Sequence, residues 1–338
     1  MSLNRGDSQK AKLRRDRIRR EKHAQRAGPP ARDGAPYRGP EHPFAAERSL
    51  REMEALLEGQ HFESIDEANA RLAEITGGGR LSQLAGAWKQ DDPKWRAQEL
   101  AYDALETDSL EEALRLAHEA LKLDPDCTDA QRLMVSILPA SPENKLVLMR
   151  EVVEQAERNL GEAVFQEHMG HFWGTMSTRP YMRAKQHLGE LLVETGRLEE
   201  AAGVFERILE LNPTDNQGMR YPLLALYLAA QQAEKAGQLM SHYPGEEKCL
   251  ASFAWARVLE RWLSGKLDEA AAALARARTV NPFAERYISG VRALPAETPE
   301  YFKPGDETEA QVCARELSLA WERNPAFRKW LRAQCNLK

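Results

Sequence analysis

Met182 to Asp215 reads MRAKQHLGELLVETGRLEEAAGVFERILELNPTD, and these 34 residues decide the fold. Two helix-period segments flank Gly196, which permits a tight turn because it lacks a Cβ. Ala201, Val204, Phe205, Ile208 and Leu211 recur at helical spacing and make one apolar stripe. Leu188 and the small Gly189 belong to the preceding helix, where Gly189 and Ala201 allow two helices to cross closely. Pro213 ends the second helix, having no amide hydrogen to donate. A single helical pair of this kind cannot bury its stripe, so neighbours must stack against it.

The same markers return along the chain. Residues 94–127 place Leu100, Ala101, Ala113, Ala120 and Pro125 in register, and Leu110-Glu111-Glu112-Ala113 parallels Leu198-Glu199-Glu200-Ala201. Asp129 to Gly161 reads as a degenerate unit. Residues 216–249 form a loose one with Leu223, Tyr227, Ala236 and Met240. Residues 251–284 repeat the pattern with Gly265, Ala270, Leu274 and Pro282. A helical pair of this length with these markers is the tetratricopeptide pattern. The expected fold is therefore all-α, a tetratricopeptide-type helical-hairpin solenoid over 94–284 with an irregular insert at 162–181. Residues 44–79 are expected to be a small helical pair, with Ala46, Leu50, Met53, Leu56 and Leu57 as the apolar stripe of its first helix. Gly77-Gly78-Gly79 ends that pair as a helix stop, since no phosphate-loop Lys-Ser or Lys-Thr follows it. Residues 285–338 stop repeating and are expected to cap the array. Asp306 and Glu309 form a capping box there, followed by Ala310, Cys313, Ala314, Leu317 and Trp321 on one helical face.

The formal net charge of -5 conceals an asymmetry. Residues 1–26 hold ten Lys or Arg against Asp7, Asp16 and Glu21, a net +7 that leaves -12 on the rest. Residues 1–43 read as a basic arm and a Pro/Gly-rich linker. Arg14, Arg15, Arg17, Arg19, Arg20 and Lys22 are its candidates for phosphate contact with RNA or a ribosome; the competing reading is a solvated tail. Cys127, Cys249, Cys313 and Cys335 are scattered and suit reduced thiols better than disulfides or a zinc site. The longest apolar run, Leu223 to Ala230, is far shorter than the ~20 residues that span a bilayer. With no apolar leader, the cytoplasm is the expected location.

Candidate binding residues concentrate between Phe165 and Tyr221. Arg183 and Arg220 lie near the starts of consecutive first helices, 37 residues apart, where both are expected to face one groove and grip carboxylate or phosphate. Trp173, Arg179, Tyr181, Asn216 and Tyr221 complete this expected partner-binding surface. The alternative of equal weight is that these side chains tie down the irregular loop. Glu167, His168 and His171 have ligand character but lack an evident third ligand, so no metal is expected. No nucleophile-base set stands out, and neither an enzyme activity nor a cofactor is expected. Gln186 and Glu190 occupy positions where chaperone-tail-binding domains use Lys and Asn, and Glu190 would repel a terminal carboxylate.

Three stretches carry a resemblance: GHFWGTMSTRPYMRA (Gly170 to Ala184), LNPTDNQGMRY (Leu211 to Tyr221), and NPFAERYISGVRALPAETPEYFKPGDETEA (Asn281 to Ala310). Over about residues 45–332 the chain resembles a group of bacterial tetratricopeptide proteins of unknown biochemical role. Its last stretch also resembles the C-terminal region of the eukaryotic suppression-of-tumorigenicity family. The resemblance implies an all-helical repeat protein without catalytic activity. This chain departs from that group at Ser177, where an acid is usual, and at Pro325-Ala326-Phe327. The reading is a non-enzymatic scaffold that holds a segment of another protein in its groove. The alternative is an RNA- or ribosome-associated factor anchored by the basic arm.

Overall fold

The computed structural model describes residues 44–57, 60, 62–76, 91–299 and 301–334. The basic arm, with Arg14, Arg15, Arg17, Arg19, Arg20 and Lys22, lies outside these residues, as do Gly77-Gly78-Gly79 and Cys335. Among the described residues there are sixteen α-helices and no strand. None of these helices is long and apolar enough to cross a membrane. The chain divides into two compact units. The first comprises residues up to Thr195 together with Leu211–Gln217; the second comprises Gly196–Glu210 and Gly218–Lys338.

In the first unit α1 (Ala45–Leu57) and α2 (Ile65–Thr76) precede α3 (Pro93–Glu106), α4 (Leu110–Leu123), α5 (Thr128–Ile137), α6 (Pro142–Glu167) and α7 (Arg179–Glu194). Local chemistry sets the helix starts. Asp92 caps α3 by accepting from the Lys94 and Trp95 amides, and Pro93 supplies a preset first turn. Ser109 caps α4 and Ser141 caps α6. Helices α3, α4 and α5 then share a core of Ala104, Ala113, Leu116, Ala117, Leu133 and Ile137. The alanines let the backbones approach; the larger side chains fill the space between. Helix α3 packs on α5, and α5 on α7, so these three first helices are successive neighbours. The irregular stretch is shorter than expected. Helix α6 continues to Glu167, although Gly161 at φ 74° and ψ 160° interrupts it, and α7 already begins at Arg179.

α1 follows its expected stripe only in part. Leu56 is buried, Leu50, Met53 and Leu57 are half-buried and Ala46 is exposed, whereas Glu47, outside the stripe, is only 6% exposed. Apolar spacing did not show that α1 also buries a carboxylate against the arginines of α7.

The second unit contains most of α8 (Leu198–Leu211), then α9 (Arg220–Ala229), α10 (Ala233–Ser241), α11 (Ala251–Leu263), α12 (Leu267–Val280), α13 (Ala284–Ile288), α14 (Glu307–Glu316), α15 (Ser318–Arg323) and α16 (Pro325–Gln334). Helix α9 packs on α10 and α11 on α12. Ala201, Phe205, Ile208 and Leu211 are buried, as are Ala270 and Leu274. Gly196 and Gly265 hold φ of 76° and 73°, the left-handed region that favours glycine. The expected C-terminal helix is two helices broken at Leu317, yet Ala310, Cys313, Ala314, Leu317 and Trp321 are all buried. Asp306 caps α14 through the Thr308 and Glu309 amides. Glu309 does not complete a reciprocal box. Its carboxylate instead accepts from the Ala251 amide at 2.9 Å, the Gly305 amide at 2.7 Å and Asn281 Nδ2 at 2.9 Å, tying α11 to the terminal helices.

Candidate functional site

The first unit brings its strongest chemistry to one place, where α1 lies against α3, α5 and α7. Arg183, one turn into α7, donates from Nε to Asp129 Oδ1 at 2.9 Å and from Nη2 to Asp129 Oδ2. Its Nη1 reaches both oxygens of Glu47 on α1 at 3.0 Å. Arg179 adds a second guanidinium, 3.2 Å from Glu47 Oε2, and Tyr102 donates its hydroxyl to Glu47 Oε1 at 2.7 Å. Gln98 Nε2 donates to Asp129 Oδ2 at 2.8 Å. Glu47 is therefore held by two arginines from α7 and a tyrosine from α3.

Burial disfavours both ends of the Arg183–Asp129 pair, but their mutual attraction outweighs it. Burial alone would raise the Asp129 carboxyl; the Arg183 charge and hydrogen bonds hold it below its ordinary range. Arg183 is likewise kept charged by Asp129 and Glu47 despite its burial. Burial, then the Glu47 carboxylate, pushes the Tyr102 hydroxyl up, so it remains a donor.

Around this centre α1 makes a ring of further contacts. The Phe44 ring, just before the helix, stacks on Tyr102 with centroids 4.7 Å apart. Arg48 pairs with Glu99 and, at 2.6 Å, with Asp103; Arg51 pairs with Glu99. Arg51 also lies 4.1 Å from the centre of the Trp95 ring. Glu54 accepts from the Met176 amide at 3.2 Å. Glu99, Asp103 and Glu106 thus form an acidic row along α3. Beside α1 remains a cleft of about 620 Å³ lined in part by Arg51, Trp95, Gln98, Met176 and Tyr181.

These contacts correct part of the expected binding surface. Arg183 is 5% exposed and its donors are engaged inside the first unit, so it is not a free gripping group. Tyr181 is 1% exposed; it meets Phe165 and Phe172 edge-on and donates to Glu157 at 2.6 Å. Trp173 is half-buried beneath the Arg179 guanidinium, whose Nε donates to the Trp173 carbonyl at 2.8 Å. Asn216 is exposed and accepts from Thr214 at 2.9 Å. Arg220 and Tyr221 belong to the second unit, where both engage Glu246, at 2.8 and 3.2 Å. Each arginine is therefore paired within its own unit. The physical reason is common to both: a guanidinium removed from water is held by carboxylates nearby.

Gln186 donates to Glu190 at 3.0 Å and accepts from Gln217 at 2.9 Å. His168 Nδ1 lies 3.4 Å from Thr175 Oγ1, and among the described residues no three His, Cys, Asp or Glu side chains cluster for a metal. Sequence reasoning missed Glu47, Asp129 and Tyr102. An acid in the first turn of a helix is ordinary there, so Glu47 carried no mark of burial.

Compared with models of protein families, with curated proteins and with solved structures, the chain matches none.

Proposed function

We propose that this chain is a tetratricopeptide-type scaffold that docks a helical segment of another protein and does not transform it. The docking face is that of α3, α5 and α7 in the first unit. One observation carries the reading: α1 already lies on this face, held by side chains of all three helices acting directly or through Arg183. The face thus has the donors, acceptors and ring surface that a helix in a groove requires. The matched positions of Ala113, Ala201 and Ala270 support a repeat array, and the apolar-poor, charge-rich contacts suit a reversible partner. The cytoplasm is the compartment this reading assigns.

Site-specific photocrosslinking tests it. A crosslinker at Gln98, in the cleft, should capture a partner protein in cells, while one at exposed Arg115 on α4 should not. Equal capture from both positions, or none from Gln98, would refute the docking face. The second reading, RNA or ribosome association, rests on the ten bases of residues 1–26. Deleting residues 1–40 should then abolish co-sedimentation with ribosomes and flatten its salt dependence.

A further inference from the structure

We propose that the open cleft beside α1 receives a basic side chain, the ammonium or guanidinium group of a segment of the partner protein. The inference rests on the docking reading above and names what the partner presents there.

The cleft is a product of how the first unit folds. Residues of α1, α3, the turn between α4 and α5, α6 and the start of α7 enclose about 620 Å³. That is room for a long side chain and the backbone that carries it. Tyr102, Ala156, Met176 and Tyr181 line the cleft and are themselves buried. They give apolar surface for the methylene stem of a lysine or arginine.

Charge selects the occupant. Glu54, Asp92, Asp124 and Asp126 line the same cleft, and among the described residues none of them pairs with a cation. Neutral donors hold each one. Glu54 accepts from the Met176 amide and Asp92 from the Lys94 and Trp95 amides. Asp124 accepts from the Asp126 amide, and Asp126 from the Gln155 side chain. In every case a single oxygen is used, so the carboxylates are positioned without being neutralised. The neighbouring face is built otherwise, because Glu47, Glu99, Asp103 and Asp129 all hold arginines. Of the cations lining the cleft, Arg51 is bound to Glu99; among the described residues exposed Lys94 is the one without a carboxylate partner. Four carboxylates against one ammonium favour a positive guest and oppose an anionic one. The four come from three separate elements, and among the described residues no three acids, histidines or cysteines cluster for a metal ion. The guest is therefore an organic cation.

Fluorescence anisotropy on the full chain tests this with a labelled octapeptide of alternating glycine and arginine. Its citrulline counterpart has the same shape without the charge. The wild type should bind the arginine peptide at least ten-fold more tightly than the citrulline one. Asp124→Asn/Asp126→Asn should weaken arginine-peptide binding at least ten-fold. If that chain does not fold, Glu54→Gln/Asp92→Asn, which keeps a good helix cap, replaces it with the same expectation. Glu111→Gln/Glu119→Gln removes the same charge from the exposed surface of α4 and should change binding less than two-fold. Equal binding of the two peptides, none by the wild type, or equal losses from the cleft and α4 variants would overturn the proposal. Capture of a partner from Gln98 alongside any of those results would leave the docking reading standing. Charge-selective peptide binding without such capture would remove that reading and leave the cleft a site for basic side chains.

Discussion

Replacing Arg183 by Met tests whether the buried charge centre organises the first unit. The substitution keeps much of the side-chain volume but leaves Glu47 and Asp129 facing each other without their shared cation. Removing one partner from a buried ion pair costs about 3–5 kcal/mol. Arg179 still offers one hydrogen bond to Glu47, which places the expected loss near the lower end, about 3 kcal/mol. For a domain of this size each kcal/mol shifts the melting temperature by about 2–4 °C, so the drop should be roughly 6–12 °C. Arg207→Met on α8 in the second unit is the control. Its pair with Glu210 is solvent-exposed and should cost about 1 kcal/mol or less. Circular-dichroism melts give the totals, and hydrogen exchange locates them. Amides of α1 should exchange faster in Arg183→Met, and those of α11 should not change. A loss no larger than that of Arg207→Met, or undiminished protection of α1, would refute the role assigned to Arg183.

Other consequences follow from the same geometry. Because the Asp129 carboxyl is held below its unfolded value, its contribution is present above about pH 4 and is lost as pH falls through the folded value. The stability gap between wild type and Asp129→Asn should therefore stay level from about pH 5 to 8 and narrow in acid; a gap that widens in acid would contradict this. Glu309→Ala orphans the Ala251 and Gly305 amides together with Asn281 Nδ2 and should cost about 1–3 kcal/mol, measured by denaturant melts with exchange rising at the start of α11. Burial pushes the Cys127 thiol up to about 12 and the Cys313 thiol well above its usual range, whereas Cys249 is exposed. Peptide mapping after brief alkylation should find Cys249 modified in the folded chain, and Cys127 and Cys313 only after unfolding.

The helices were legible in the sequence wherever burial is apolar. Ala201, Phe205 and Ile208 lie at helical spacing because the surface they meet is itself aliphatic, so period and burial coincide. Gly196 and Gly265 were legible for another local reason, since a left-handed turn residue favours glycine. The α1 face was legible only in part. Its stripe of Ala46, Leu50, Met53, Leu56 and Leu57 satisfies the helical period and Leu56 is buried, yet Glu47 is buried too, because its receptor is assembled from α3 and α7, far away in the chain. The arginines suffered the same ambiguity. Arg183 reads in the sequence equally as a grip for carboxylate or phosphate and as an internal tie, and the carboxylates it holds come from this chain. Spacing identifies what a side chain is able to hold; only packing decides who supplies the other half.

The long sequence separation within the charge centre has a consequence for biosynthesis. Glu47 leaves the ribosome 136 positions ahead of Arg183, and Asp129 leaves 54 ahead of it. At about 5–20 residues per second, the nascent α1 waits roughly 7–27 s before the cation it requires exists. The hairpin of α3 and α4 is complete long before then, but α7, which supplies both arginines that hold Glu47, is not. Slowing translation between codons 129 and 183 should lengthen that interval and leave α1 exposed to chaperones for correspondingly longer.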